Sequence, residues 1–376
     1  MIKTIRSNIL AIIVLFLLGA AVYSNTLNNS FHFDDFSFIL DNPGIRNLEK
    51  LTDIFKYWPS RFIGFLSFAV NYRVHQFSVS GYHLVNIGLH ILNSFLVFWF
   101  VSLTISSPAM NEKAAFRHRE VLAFFAAAIF LTHPVQTEAL NYIFHRVTIL
   151  AALFYLASLC LYAKAMLSLK EGGRINKYYY FASLTAAFIG MFSKENIVTL
   201  PLMILLYNFY FFRKGKGAKW KYALPFLLLL PLVPLTVVIA KPVIFADVER
   251  LLSNPLASSS HYLWTQFNVL VTYLRLFLFP AGLNIDYDYP VAQAFWGMPT
   301  PASFLILIFV IIMGILAFPR QRLISFGIFW FFLTLLPESS IIPTADPIYE
   351  HRLYLPLVGC SIFAVAALYY IFREKR

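Results

Sequence analysis

The chain has 376 residues, 59% of them hydrophobic and 13% charged, with 40 phenylalanines and a formal net charge of +12. A soluble domain of this length needs far more charge to cover its surface, so the composition points to a polytopic membrane protein. The positive charge does not read as a nucleic-acid footprint. It gathers at helix ends, in Lys3 and Arg6; Lys113, Arg117 and Arg119; Lys164, Lys170, Arg174 and Lys177; Arg213, Lys214, Lys216, Lys219 and Lys221; Arg320 and Arg322; and Arg373, Lys375 and Arg376. These clusters hold most of the 30 basic residues and, among the acids, only Glu112, Glu120, Glu171 and Glu374. That is the positive-inside pattern, and no nucleic-acid partner is expected.

Taken in chain order, the basic start Met1 to Arg6 and the apolar run after it resemble a signal peptide. Ala20, Ala21 and Tyr23 lie within a run long enough to span, however, so it is read as helix 1, about 8–24. With every basic cluster in the cytoplasm, helix 1 exits and a first outer loop follows over 25–81. Helices at about 82–104, 119–132, 144–166, 178–193, 196–212 and 222–241 then alternate inward and outward. After an outer segment, 242–300, helices at about 302–318, 323–337 and 353–372 leave the C-terminus inside. His261 to Pro280 is long enough to span, but one crossing there would put Arg320, Arg322 and Arg373 outside. A re-entrant or interfacial hairpin is expected, with a pair of short crossings as the alternative. No repeat, low-complexity tract or soluble domain interrupts the chain, so 1–376 reads as a single membrane domain. Cys160 and Cys360 lie in apolar stretches and read as packing residues rather than a disulfide framework.

This threading collects the unusual polar residues on the outer face. They are Asp34-Asp35, Arg61, the turn from His133 to Glu138 with Asn141 and Arg146, Lys194-Glu195, Asp286 and Asp288, and Glu350-His351-Arg352. Ionisable groups near membrane depth are expensive and mark function. Asp34-Asp35 is flanked by Phe31, Phe33, Phe36 and Phe38, a setting that raises a carboxylate toward the range of a general base; solvated loop acids or a helix cap are the alternative. Arg61, Arg146, Lys194 and Arg352, with His351 as a further donor, suit a lipid phosphate. The competing reading has each cation snorkel or pair locally, Lys194 with Glu195 and Arg352 with Glu350. His83, Asn86 and His90 share one helix face, where interhelical hydrogen bonding is favoured over metal ligation. Tyr178 to Phe181 reads as an interfacial aromatic belt, and Asn28-Asn29-Ser30 matches a glycosylation sequon.

Seven motifs in order then carry a resemblance. They are Phe33-Asp-Asp-Phe36 with Asp41-Asn-Pro43; Leu66-Ser-Phe-Ala-Val-Asn-Tyr72; Gly81 to His90; His133-Pro-Val-Gln-Thr-Glu-Ala-Leu-Asn-Tyr142 with Arg146; Ser193-Lys-Glu195; Leu283-Asn-Ile-Asp-Tyr-Asp-Tyr289; and Glu350-His-Arg-Leu-Tyr-Leu-Pro356. Together they resemble the membrane part of the TMTC-type protein O-mannosyltransferases and their bacterial relatives. The resemblance implies a GT-C fold, an all-α polytopic bundle of about 10–12 transmembrane helices whose outer loops carry short helices. It implies an inverting glycosyltransferase that moves a sugar, mannose in that family, from a polyprenyl-phosphate donor to a hydroxyl. Asp34 or Asp35 would be the base, with a lean to Asp34, and the other would orient it. Lys194, Arg146, His351, Arg352 and Arg61 would hold the donor phosphate. Glu138, His133, Glu195, Asp286, Asp288, Glu350 and His83 would support the site or touch substrate. No cofactor or obligatory metal is implied. Two features depart from the family: its tetratricopeptide repeats do not follow Arg376 in this sequence, and its Arg-Pro reads Arg61-Phe62. The acceptor therefore stays open between protein and glycan. Membrane lipid is the other partner, and the location is a bacterial inner membrane with the site facing the periplasm, or the ER membrane in a eukaryote. A flippase of lipid-linked sugars and a non-catalytic membrane scaffold are the alternative readings.

Overall fold

The computed structural model of the protein describes residues 2–110, 114–212, 219–239, 258–344 and 346–373. Of the basic clusters, Lys113, Arg213, Lys214, Lys216, Lys375 and Arg376 lie outside the described residues, as does the stretch 240–257 of the expected outer segment. Every regular element among the described residues is helical. In chain order the α-helices are α1 (Ile2–Val22), α2 (Leu51–Tyr57), α3 (Phe62–His75), α4 (Val79–Ile105), α5 (Arg119–Thr132), α6 (Gln136–Asn141), α7 (Arg146–Gly172), α8 (Lys177–Gly190) and α9 (Leu200–Phe211). They continue as α10 (Leu224–Leu227), α11 (Leu232–Ile239), α12 (Ser259–Leu278), α13 (Thr300–Ala317), α14 (Arg322–Leu335) and α15 (Pro356–Arg373). Among the described residues, three stretches, Val79–Ile105, Ile143–Leu169 and Thr300–Ala317, are long and apolar enough to cross a membrane, and shorter apolar helices accompany them.

The hydropathy reading locates most of the long apolar helices within a few residues; α2, α3 and α6 lie inside connections to which it gave no helix bounds, and two further segments differ in detail. The helix expected at about 222–241 is an apolar helical stretch, Trp220–Thr236, whose α-helical pieces α10 and α11 are separated by turns at 228–231. Pro231 lies in the break between them; its ring removes an N–H and clashes with the preceding turn. The segment 261–280, expected to fold back on itself, is one unbroken helix of 20 residues. Tyr262, Gln266, Val269, Tyr273 and Leu276 are buried along it at steps of three and four, the period of a helix with one covered face.

The backbone divides into two compact units, Met1–His133 with Ala139–Thr236, and Pro134–Glu138 with Val237–Arg376. In the first, α4 carries a buried polar stripe at helical spacing: His83, Asn86, His90 and Asn93. His90 Nε2 meets the carbonyl of Leu131 at 3.0 Å, in the last turn of α5, where carbonyls have no partner within the helix. Asn93 Nδ2 donates to Ile149 O on α7 at 3.0 Å, and His83 Nε2 meets Asn29 O at 2.9 Å. The expected interhelical hydrogen bonding is what this face does: it supplies partners to backbone that a bilayer would leave unsatisfied.

In the second unit, α14 and α15 cross at a pair of glycines. A β-carbon on Gly327 would lie 2.5 Å from Gly359 O, and one on Gly359 would lie 2.7 Å from Gly327 O. Both close contacts are with backbone, so neither is relieved by rotating a side chain. Gly327→Ala is therefore expected to push the helices apart, at a cost of about 1–3 kcal/mol, the usual range for overpacking. Thermal unfolding of the detergent-solubilised variant checks this, and an unchanged midpoint contradicts it.

Candidate functional site

The acidic loop of the first unit begins a few residues after α1. Phe33 takes a left-handed backbone (φ 44°), uncommon for a residue with a β-carbon, and Phe36–Leu40 form one π-helical turn closed by Asp41 N–H on Phe36 O (2.8 Å). Asp34 and Asp35 sit between these two irregularities and point different ways. Asp35 is fully buried, whereas Asp34 is exposed. Asp35 Oδ1 accepts the Phe144 N–H at 2.7 Å and Oδ2 accepts the His32 N–H at 3.1 Å. It clamps its own loop to the corner that starts α7. Burial pushes its carboxyl up to about 7, against the His32, Phe144 and Ile143 amides that favour the charged form. The backbone of Asp34 is fixed as well: its N–H donates to the hydroxyl of Tyr142 at 2.6 Å.

Three of the expected cations, Arg61, Lys194 and Arg146, belong to this same unit. Arg61 lies with its guanidinium 4.1 Å from the centre of the Trp58 ring and 5.8 Å from that of Phe144. Its Nε and Nη2 bond the Glu195 carboxylate at 3.2–3.3 Å, and Ser60 Oγ donates to the same carboxylate at 2.6 Å. Glu195 thus pairs with Arg61 and not with its neighbour Lys194. The Lys194 ammonium, nearly buried, donates to Thr148 Oγ1 at 3.2 Å, in the first turn of α7. Arg146 is enclosed completely. It donates to Asn86 Oδ1 (2.6 Å), Asn71 Oδ1 (2.8 Å), Tyr82 O (3.0 Å) and Ser67 O (3.4 Å), over the ring of Phe68. With its donors spent inside the protein, Arg146 pins α3, α4 and α7 together. The sequence reading expects both Arg146 and Arg61 at a phosphate; in the structure Arg146 has these four protein acceptors and Arg61 is paired with Glu195.

The second unit holds the remaining candidates. Glu138 takes both donors of His351, its backbone N–H at 2.9 Å and its Nδ1 at 2.7 Å, and so fixes that ring, which stacks on Tyr349. Glu350 accepts the Asn284 N–H at 2.7 Å and the hydroxyl of Tyr287. Burial raises its carboxyl above the usual range. Glu350 is thus tied to the 284–287 segment rather than to Arg352. Asp286 and Asp288 alternate with the inward-facing Tyr287 and are exposed. Arg352 donates to Pro347 O, Asp346 O and Thr344 Oγ1 at 3.0–3.1 Å. These bonds prop the loop before it. In the first unit, His133 is buried at the C-terminal end of α5.

Sequence reasoning left out Tyr142, Thr148, Asn71 and Tyr287, which hold Asp34, Lys194, Arg146 and Glu350. Three of them lie inside the quoted motifs, so their positions were visible, but nothing in the sequence says which neighbour each one holds.

Fold and site together describe an all-α membrane protein with one accessible carboxylate on a tightly held loop, in the same compact unit as a nearly buried lysine. Comparison with known proteins finds curated relatives. The chain is 26% identical over 380 residues to the protein O-mannosyl-transferase F38B6.6 of Caenorhabditis elegans, covering 94% of this chain and 51% of that one. It is 23% identical over 390 residues to mouse protein O-mannosyl-transferase TMTC3, covering 91% of this chain and 40% of that one. Human protein O-mannosyl-transferase TMTC4 is 29% identical over 194 residues, 47% of this chain and 26% of that one. The curated relatives are thus TMTC-type protein O-mannosyltransferases, and the chain spans about half the length, or less, of those it matches. No protein-family model and no solved structure matches the chain.

Proposed function

We propose that this protein is a GT-C-type glycosyltransferase that moves mannose from a polyprenyl-phosphate donor to an acceptor hydroxyl at the non-cytoplasmic side of its membrane. The exposed carboxylate of Asp34 takes the acceptor proton as the hydroxyl oxygen attacks the anomeric carbon. The bond from that carbon to the phosphate oxygen breaks on the opposite face, and polyprenyl phosphate leaves with its electron pair, inverting the centre. Asp35 holds the loop, and Lys194 supplies positive charge for the departing phosphate. The observation that carries this reading is the division within the acid pair. One carboxylate is spent on two backbone amides, and the other is presented beside it on a loop with an uncommon backbone.

A chain of direct contacts supports placing Lys194 in the same machinery. Asp35 bonds Phe144, Arg61 lies over Phe144 and pairs with Glu195, and Lys194 is the next residue. The names of the relatives favour mannose and a protein acceptor. Purified protein incubated with mannosyl-phospholipids of dolichyl and undecaprenyl type and hydroxyl acceptors is expected to release free polyprenyl phosphate. It should also transfer label to the acceptor. Donor that stays intact with every lipid and acceptor offered overturns the proposal.

A further inference from the structure

The unbroken α12 leaves a topological problem, because one crossing over 259–278 would reverse every helix after it. The contacts along α12 resolve it. Thr265 Oγ1 accepts the Ala292 N–H at 2.9 Å, and Thr272 Oγ1 bonds the Tyr289 hydroxyl at 2.9 Å. Later residues of the helix therefore meet earlier residues of the segment after it, as the two arms of a hairpin do. The lengths agree: seven helical residues at 1.5 Å rise cover about 10 Å, and three extended residues at 3.3 Å cover about the same. The turn is built at 275–282, where Phe279 N–H closes on Arg275 O, Arg275 reaches Ala281 O, and Gly282 supplies a left-handed backbone (φ 70°).

The start of α13 marks the level of this hairpin. Asn268, halfway along α12, donates to Thr300 Oγ1 at 3.1 Å, and the Phe267 and Phe304 rings are 5.2 Å apart. Were α12 to cross antiparallel to α13, its last turn and not its middle would meet Thr300. The half left beside α13, from Ser259 to Asn268, covers about 14 Å, against roughly 30 Å of hydrocarbon. The other face of α12 is pinned to a second connection: Tyr262 donates to Glu338 O, Gln266 to Pro347 O and Tyr273 to Tyr349 O. Non-helical backbone that follows α12 in this way belongs at the membrane edge, not through lipid.

The surface at that level is apolar. Leu263, Trp264, Val271, Leu274 and Leu278 form a partly exposed stripe at helical spacing. Trp296 is 83% and Met298 78% exposed just before α13, an 18-residue apolar helix mostly uncovered by protein. Large exposed apolar side chains continuous with a lipid-facing helix fit the interfacial layer of a bilayer.

We propose that Ser259–Thr300 is a helix-and-return hairpin that rests in the membrane interface on the side where α13 begins and makes no net crossing. Its partner is the lipid surface itself, and the inference does not depend on the reaction. Arg320 and Arg322 then fall on the opposite side, as the charge pattern requires. Single cysteines in proteoliposomes test this: Ser260→Cys and Ala281→Cys, one at each end of α12, and Pro319→Cys in the α13–α14 turn, all three exposed positions. Native Cys160 and Cys360 are buried, and the wild-type chain sets the background. An impermeant thiol reagent is expected to label Ser260→Cys and Ala281→Cys from one side and Pro319→Cys from the other. Labelling of the first two from opposite sides overturns the hairpin. Brominated phosphatidylcholine is expected to quench wild-type fluorescence more than that of Trp296→Phe; equal quenching overturns the interfacial seat.

Discussion

Replacing Arg146 with alanine is expected to abolish recovery of folded protein. The side chain is fully buried and bonds Asn86, Asn71, Tyr82 O and Ser67 O, which come from α3 and α4, while Arg146 itself begins α7. Truncation leaves the side-chain oxygens of Asn86 and Asn71 without this donor in a space closed to water, and takes a second donor from the helix carbonyls of Ser67 and Tyr82. Each orphaned group costs about 1–3 kcal/mol. With the cavity left by a fully buried side chain, this takes up much of the roughly 5–15 kcal/mol that holds a typical domain together. Arg146→Lys keeps the charge but not the fork, so one ammonium cannot serve partners on both sides, and an intermediate loss is expected. Size-exclusion recovery in detergent measures this. A monodisperse Arg146→Ala protein with the wild-type unfolding midpoint contradicts the hub assignment.

Asp34→Asn is expected to lower the turnover number by about 10²–10⁴-fold, the usual contribution of a positioned base. It should leave stability unchanged, because the side chain is exposed. Asp35→Ala should do the reverse in order of cause. Losing the carboxylate frees the His32 and Phe144 amides, the loop loosens, and the unfolding midpoint falls along with activity. The two are also separated by pH. Burial raises Asp35 from 3.8 to about 7, so the folded state holds its proton where the unfolded chain has released it. That contribution to stability is present below about pH 4 and is lost as pH rises through 7. Asp35→Ala should flatten this part of the stability profile, and Asp34→Asn should keep it.

Much of this was legible in the sequence. Charge-free runs and basic clusters gave the helices and their order, because helices are the simplest way to satisfy backbone across lipid. The His83, Asn86 and His90 stripe was readable because its period is local. Three things were not. Pro231 breaks the helix expected at about 222–241, and the hydropathy that marks that run is blind to a missing N–H. The 261–280 segment was expected to fold back on itself, but Ser259–Leu278 is one helix, and its contacts to Tyr289 and Ala292 run through single hydroxyls that leave no periodic signal. For the site, the sequence led to the expectation that the cations converge, but it did not give their partners. An arginine that binds phosphate and one that pins three helices look alike until the acceptors around it are known. Arg146, Arg61 and Arg352 fall in the committed class, and Lys194 stays in the proposed donor site.

The account rests on Asp34 being the group that takes the acceptor proton, and the most direct measurement follows donor binding and donor consumption in the same samples. Wild-type and Asp34→Asn proteins, purified to equal midpoints, are each mixed with a mannosyl-phospholipid and a hydroxyl acceptor. Bound lipid is read by native mass spectrometry and transferred mannose by label. Both proteins should retain the lipid, and only the wild type should pass mannose to the acceptor. Transfer by Asp34→Asn at the wild-type rate would contradict the account.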